Sequence, residues 1–486
     1  MSAENLKEKT IFSVVWSGVQ KTGAISLNLI SGIVLARLLT PHDYGVVGML
    51  SIFLAVSNTF IDGGFGSALI QKKQPSDIDY STIFYWNLFL SIIVYIVLWI
   101  SAPAIANFYA LPLLTVVLRV LSLVLVINAL RIVQVNQLRK NLKFKKIAFV
   151  DLFSSFTALI VTIYLAWRGF GVWALVVQQL LVSIITTLLY WVLSKWRPLF
   201  VFSKQSFKEL FSFGSFMLLS NLVNTICNNI QGLLIGKIYS SSTLGIFTKA
   251  RRTEELSSTF ISHILDQVSY PVMSETQNDK NRMRQILEKF ISTSAYLTFP
   301  LMLLLIVLAK PIFTLLYSDR WLNSVPYFQI LCFAGIAISL QTINYYAVAA
   351  VGKSKAIFKW TFLKRIFGLF FIVLGIFTFG IKGLLVGMVL SSWTIYLINA
   401  MLVSKYIGYS LNEQICDLIP IFVLALFSAI VAYSLELFVN VGFYYNAFIQ
   451  AMVFCAIYMF VSYLFKFKAL KSTKSIFLIL YSKMKK

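Results

Sequence analysis

Fourteen times in 486 residues the chain runs apolar for roughly 20 residues, the length that carries an α-helix across the hydrocarbon core of a bilayer. The runs lie near 12–36, 43–66, 81–102, 112–135, 148–167, 170–193, 208–235, 242–270, 287–309, 324–349, 357–379, 382–403, 417–438 and 444–465. The connections are short, the longest about 15 residues, which leaves no room for a soluble catalytic domain. In lipid every backbone N–H and C=O must be satisfied within the segment, so runs of this length have to be helices. The pattern therefore predicts an all-α integral membrane protein with about 14 transmembrane helices.

The formal net charge of +24 would suit a nucleic-acid partner, but the cations do not form a basic stripe interleaved with base-stacking aromatics. They gather in alternate connections, and with the amino terminus inside, the inner segments hold 28 of the 42 Lys and Arg residues and the outer ones six. That bias places both termini in the cytoplasm, as an even number of spans requires. Met1–Thr10 carries Glu4, Lys7, Glu8 and Lys9 and leads into an apolar run without a small-residue cleavage site, so the run reads as a retained first span of a multi-pass membrane protein. Four scattered cysteines and two histidines offer neither a disulfide framework nor metal-ligand spacing, and no cofactor motif is present.

A repeat organises the helices. Ser31-Gly32-Ile33-Val34-Leu35-Ala36-Arg37-Leu38-Leu39-Thr40, then Tyr44-Gly45-Val46, aligns without a gap on Gln231-Gly232-Leu233-Leu234-Ile235-Gly236-Lys237-Ile238-Tyr239-Ser240, then Leu244-Gly245-Ile246; Asn28 falls on Asn228. Pro103 with Tyr109 echoes Pro311 with Tyr317, and Gly171-Val172-Trp173-Ala174 echoes Gly383-Leu384-Leu385-Val386. The plan is two six-helix lobes, 1–200 and 201–404, followed by two additional helices and a basic cytoplasmic tail in 405–486. Six is even, so both lobes enter from the same side and a pseudo-two-fold along the membrane normal should relate them, with the functional path between them.

Enzyme motifs are nearly absent. Gly352-Lys353-Ser354 looks like the end of a phosphate-binding loop, but Ala347 stands where its first glycine belongs and the segment joins two spans. What stands out is charge within the spans, which is expensive in hydrocarbon and should face protein, water or ligand. The cations are Lys21, Arg119, Arg131, Lys249, Arg251, Arg252, Lys364 and Arg365, and the acids Asp62, Asp151, Glu254, Glu255, Asp266 and Glu436. Lys21, Arg119 and Arg251/Arg252 lie deepest, whereas Asp62, Arg131 and Asp266 fall near inner helix ends, where snorkelling is an equally good account. Ser17, Lys21, Asn28 and Gly32 recur at helical spacing and form a polar face, matched in the seventh span by Asn221, Thr225 and Asn228; a wet interior and an interhelical hydrogen-bond seam both fit. In the eighth span, Lys249-Ala250-Arg251-Arg252-Thr253-Glu254-Glu255 permits local pairing of Arg251 with Glu255, yet two acids cannot neutralise three cations. Surplus cation inside a membrane suits a phosphate-bearing ligand. The candidate substrate-binding residues are thus Lys21, Asn28, Arg119, Arg251 and Arg252, and the candidate ion-coupling acids Asp62, Glu254 and Glu255.

Several stretches carry a resemblance. Trp16-Ser17-Gly18, Leu35-Ala36-Arg37-Leu38-Leu39-Thr40-Pro41-His42-Asp43-Tyr44-Gly45, Asp62-Gly63-Gly64-Phe65-Gly66-Ser67-Ala68-Leu69-Ile70, Tyr270-Pro271-Val272-Met273-Ser274, and Phe299-Pro300-Leu301-Met302 with Asp319-Arg320-Trp321 together resemble the bacterial polysaccharide flippases of the multidrug/oligosaccharidyl-lipid/polysaccharide exporter superfamily, over about residues 5 to 410. The resemblance implies flipping of undecaprenyl-pyrophosphate-linked oligosaccharide repeat units across the cytoplasmic membrane, for O-antigen, capsule or exopolysaccharide. It also implies a V-shaped cationic cavity with alternating access, a lipid tail accommodated by the last two helices, Na+ or H+ as coupling ion and polysaccharide polymerases as partners. An ion-coupled drug or metabolite exporter of the same superfamily, a membrane polymerase or ligase, and an assembly scaffold stay open as alternatives. The first would be expected to show buried acids without surplus cations, and the second a long outer loop with clustered catalytic residues.

Overall fold

The computed structural model describes residues 3–277, 279–438 and 442–473, and among these every regular element is helical. By contacts the chain divides into two compact units, Met1–Thr248 and Lys249–Lys486.

The first unit contains α1 (Ala3–Leu38), α2 (Pro41–Asp62), α3 (Phe65–Gln71), α4 (Asp77–Phe108), α5 (Leu113–Leu121), α6 (Leu123–Ala129), α7 (Ile132–Lys140), α8 (Phe144–Trp167), α9 (Val172–Leu193), α10 (Lys204–Ile238) and the opening turns of α11 (Ser241–Glu275). α1 lies along α8, α8 along α9, and α10 along α2. Local sequence explains the boundaries. Thr40 and Asp43 form a reciprocal capping box that starts α2, with Pro41 in the first turn where its missing N–H does no harm. Ser76 and Asp79 start α4 in the same way.

The second unit holds the remainder of α11, α12 (Lys280–Val307), α13 (Ala309–Tyr317), a 3₁₀ turn at Asp319–Ser324, α14 (Val325–Ala350), α15 (Ser354–Ile407), α16 (Leu411–Phe438) and α17 (Phe443–Leu464). α14 packs on α15 and α12, and α12 on α16. α15 is continuous in name only: Gly380 has φ 63° and ψ −142°, a conformation closed to residues with a side chain, and it breaks the rod between the two apolar runs expected on either side.

Each of the fourteen apolar runs coincides with helix, but length and apolarity alone qualify ten helices among the described residues as membrane spans, or twelve if two bent pairs each count once. The difference has two sources. The segment Lys359–Ile407 is counted once although broken at Gly380, and α11 is not apolar enough to qualify.

The sequence repeat has a direct structural expression. A Cβ added to Gly45 would lie 1.7 Å from the carbonyl oxygen of Ser241, and one added to Gly245 would lie 1.8 Å from that of Pro41. Positions 41 and 45 contact positions 245 and 241, so the contact maps onto itself when each residue is exchanged for its counterpart 200 along, as in an interface between identical subunits. Only glycine lets the backbones of α2 and α11 come this close. His42 Nδ1 and Ser241 Oγ close the same crossing at 2.6 Å.

Candidate functional site

Within the first unit, α1 turns two different faces outward and inward. Ser13 donates to the Leu142 carbonyl at 2.8 Å, Gln20 Nε2 to Asp151 Oδ2 at 2.5 Å, and Ser31 Oγ accepts from Gln178 Nε2 at 3.1 Å. These residues face α8, α9 and the loop before α8. Lys21 and Asn28, seven residues apart and so on one stripe, are both exposed. Of the expected polar stripe, Lys21 and Asn28 are thus exposed and Ser17 and Gly32 half-buried.

Asp151 is held by both neighbours, since Tyr190 OH donates to its Oδ1 at 2.9 Å and the Arg131 guanidinium lies in electrostatic reach. Arg119 on α5 lies over the Trp99 indole, 4.0 Å from the ring centre, with Nε donating to the Trp99 carbonyl at 3.2 Å. Its charge is thus engaged by α4 through a cation–π contact. Asp62 sits at the α2–α3 bend, where it accepts the Gly64 N–H and has Arg139 as charge partner. In the matching seventh span, Thr225 Oγ1 meets Thr59 Oγ1 at 3.0 Å and its carbonyl accepts from Asn229, so part of that face is an interhelical seam.

Within the second unit, the charged stretch of α11 resolves residue by residue. Arg251 Nε donates to Glu255 Oε1 at 2.8 Å, the i,i+4 pair that the spacing predicts. Arg252 is exposed. Lys249 is buried, with its ammonium 3.8 Å from the Tyr317 ring centre and 5.5 Å from that of Trp321, so two aromatic faces stabilise the cation. Glu254 is 3 % exposed and turned the opposite way, toward α14, where a Cβ on Gly335 would meet its Oε1 at 2.5 Å. That oxygen has no hydrogen-bond partner among the described residues, while Ser258 is a hydrogen-bond partner of the carboxyl. Of the adjacent acids, one is paired and half in solvent and the other is enclosed. Asp266 has its side chain outside the described residues.

Two features escaped the sequence reading. Tyr109 and Tyr317, noticed only as an echo, occupy equivalent places. Tyr109 OH donates to the Met49 carbonyl at 3.3 Å and packs edge-on against Phe53, and Tyr317 OH meets Thr253 Oγ1 at 3.1 Å beside Lys249. In the register of the repeat Met49 corresponds to Lys249 and Phe53 to Thr253, and that alignment was the available signal. The second is a buried lysine: Lys364 donates to Asn399 Oδ1, and Asn399 Nδ2 donates to the Gln341 carbonyl at 2.9 Å, an amide relay that shares the charge without an acid. Its sequence signal was only that Lys364 is an intramembrane cation.

Comparison with known proteins gives the context. The family model described as "Polysaccharide biosynthesis protein" matches residues 34–326. The chain is 26% identical over 350 residues to the teichuronic acid biosynthesis protein TuaB of Bacillus subtilis, covering 71% of this chain and 72% of that one. It is 25% identical over 449 residues to the lipopolysaccharide biosynthesis protein WzxC of Escherichia coli (89% and 88%) and 24% identical to the succinoglycan biosynthesis transport protein ExoT of Rhizobium meliloti (73% and 72%). Among solved structures, the lipid II flippase MurJ in an inward closed conformation superposes with a TM-score of 0.76 at 16% identity, covering 93% of this chain and 98% of that one. An inward-facing multidrug resistance transporter of the MATE family gives 0.61 at 18% (81% and 98%). At these identities the likeness establishes the fold.

Proposed function

Because the chain belongs to the family of polysaccharide biosynthesis proteins, we propose that it is a flippase, carrying undecaprenyl-pyrophosphate-linked oligosaccharide from the inner to the outer face of a bacterial cytoplasmic membrane by alternating access. No bond is made or broken in this reading. The transport names of relatives, a succinoglycan transport protein and a lipid II flippase of the same fold, support it. In the proposed architecture α11 and both halves of α15 each span, giving fourteen spans. Lobes 1–200 and 201–404 rock about a pseudo-two-fold along the membrane normal, 405–486 supplies two further helices and a basic tail, and both termini are cytoplasmic.

The observation that carries the site is the exposure of Lys21 and Asn28, an ammonium and an amide seven residues apart on α1, a helix whose Ser13, Gln20 and Ser31 are bonded to neighbouring elements. Together with exposed Arg252, and with Arg251 and Arg119 exchanging Glu255 and Trp99 for phosphate oxygens, Lys21 and Asn28 would hold the pyrophosphate while the polyprenyl tail stays in lipid, since a bare anionic head cannot cross hydrocarbon. Asp62, Glu254 and Glu255 would couple the cycle to H+ or Na+, and polysaccharide polymerases are the expected downstream partners. A cation exporter would show buried acids without surplus cations, whereas the α11 stretch sets three cations, Lys249, Arg251 and Arg252, against two acids.

The test is reconstitution. Undecaprenyl-pyrophosphate glycan supplied to one face of proteoliposomes should become accessible to a lectin on the other. The Lys21→Glu/Arg252→Glu double variant should slow this at least tenfold at equal incorporation, about 1.4 kcal/mol of lost binding or more. Unchanged transport would remove these residues from the path. Transport that persists after proton and sodium gradients are both collapsed would remove the coupling role of the acids.

A further inference from the structure

The segment 194–203 between α9 and α10 is neither helix nor an ordinary polar loop. Four consecutive apolar residues, Leu199, Phe200, Val201 and Phe202, are exposed, and Phe200 is 98% exposed. In water such a display is unfavourable, since each large apolar side chain gains roughly 1.5–3 kcal/mol on burial. The segment is nevertheless firmly placed. Trp196 is buried against Tyr80 and Phe84, with ring centres 6.0 and 6.1 Å away. Ser81 Oγ and Thr82 Oγ1, both fully buried on α4, accept the backbone N–H groups of Leu199 at 2.9 Å and Ser203 at 3.1 Å. The Val201 N–H turns back to the Leu199 carbonyl at 2.7 Å, the Trp196 N–H reaches Ser194 Oγ, and residue 198 is proline, without an N–H. Arg197 NH1 clamps the start of the strap by donating to the carbonyls of Ser194 and Trp196 at 2.7 and 2.8 Å. Irregular backbone is excluded from apolar surroundings because its polar groups go unsatisfied. Here the N–H groups of Trp196, Leu199, Val201 and Ser203 have acceptors while the apolar side chains are exposed.

The charges complete the pattern. From Ser194 to Lys208 there is no acid and there are four cations, all exposed, with Lys195 and Arg197 before the apolar tip and Lys204 and Lys208 after it. The next residue, Glu209, pairs with Lys72 at 3.0 Å. Apolar side chains flanked by lysines match the boundary between acyl chains and phosphates. We propose that this strap docks on anionic phospholipid of the cytoplasmic leaflet, with Leu199, Phe200, Val201 and Phe202 in the upper acyl region and the three lysines on lipid phosphates. It would fix the depth at which α4, α9 and α10 sit.

The full-length protein in lipid nanodiscs tests this. With Cys227, Cys332, Cys416 and Cys455 replaced, Phe200→Cys carries a polarity-sensitive fluorophore at a position where the native side chain touches little but the Tyr85 ring. In phosphatidylglycerol discs the fluorophore should be quenched by spin labels high on the acyl chain and protected from aqueous iodide, and the protection should weaken in phosphatidylcholine. In native mass spectrometry the Lys195→Gln/Lys204→Gln/Lys208→Gln variant should retain phosphatidylglycerol less well, by roughly fivefold per lysine removed. Iodide quenching without acyl-label quenching overturns the proposal. So does equal behaviour in both lipids, unchanged lipid retention by the triple variant, or protection that appears only when a second protein is added.

Discussion

The Gly45–Gly245 crossing makes the most demanding prediction. An alanine at Gly45 places its methyl about 1.7 Å short of ordinary contact with the Ser241 carbonyl, which begins near 3.4 Å, and the obstacle is backbone, so no side chain can swing aside. The ends of α2 and α11 must separate. Overpacking typically costs 1–3 kcal/mol, and with backbone on both sides about 3 kcal/mol is expected, roughly a hundredfold in the population of the closed crossing. Gly245→Ala should cost about the same, because it meets the Pro41 carbonyl at 1.8 Å. The double variant should cost far less than twice a single one, since either methyl alone already opens the shared contact. The readout is disulfide formation between cysteines replacing His42 and Ser241, whose side chains touch at 2.6 Å, in a background lacking the native cysteines. Cross-linking should be rapid with both glycines present and at least tenfold slower with either alanine. Gly18→Ala, where nothing lies within 4 Å, is the control and should be neutral or slightly stabilising. Parental cross-linking rates in Gly45→Ala, or strict additivity in the double variant, would refute the claim that one reciprocal contact joins the two elements.

Three further outcomes follow from the site geometry. Lys249→Met, which restores the residue type of the equivalent position 49, should match or exceed the parent in thermal stability, whereas Lys249→Ala should lose about 2 kcal/mol to an unfilled cavity; equal losses would show that the charge itself holds the fold. Gly335→Ala should destabilise by about 1–3 kcal/mol because its methyl meets Glu254 Oε1 at 2.5 Å, and a Glu254→Ala background should abolish most of that penalty; a penalty of the same size in both backgrounds would point elsewhere. Lys72 lies between spans and bonds both Asp79 and Glu209 at 3.0 Å. Burial pulls its ammonium down, but the two carboxylates outweigh burial and hold it above the usual lysine range. Its contribution is therefore fully present below the unfolded value of about 10.4 and is lost as pH rises through the folded one, so Lys72→Met should cost about 1 kcal/mol or less at neutral pH and nothing at strongly alkaline pH in urea melts.

Local and periodic features were legible in the sequence. The helices fall on the apolar runs, the Thr40 and Ser76 caps stand at their starts, and the Arg251–Glu255 pair follows from four-residue spacing. Polar faces on the first and seventh spans were also readable, but not their surroundings: Lys21 and Asn28 are exposed, and Thr225 meets Thr59. What escaped depends on partners distant in the chain. Nothing near Lys249 announces Tyr317 and Trp321, and nothing near Glu254 announces Gly335, because a helix sequence says which residues share a face and not what packs on that face. Arg119 illustrates the same limit, since its depth in the span was legible and the Trp99 indole beside its guanidinium was not. The strap at 194–203 was read as a basic connection; that its backbone donors are capped by Ser81 and Thr82 became visible only in three dimensions.

The replacement of Met49 by Lys249 has an evolutionary corollary. A dimer of identical chains joined by the Gly45–Gly245 type of contact would carry the same residue at both positions, so a buried ammonium could arise only in duplicate, with two aromatic boxes required at once. Joining the copies in one polypeptide lifts that restriction. One copy can keep a methionine whose carbonyl receives the Tyr109 hydroxyl, while the other installs a cation against Tyr317 and Trp321 by independent mutation. Covalent fusion thus permits an uneven charge distribution between the two copies of the repeat.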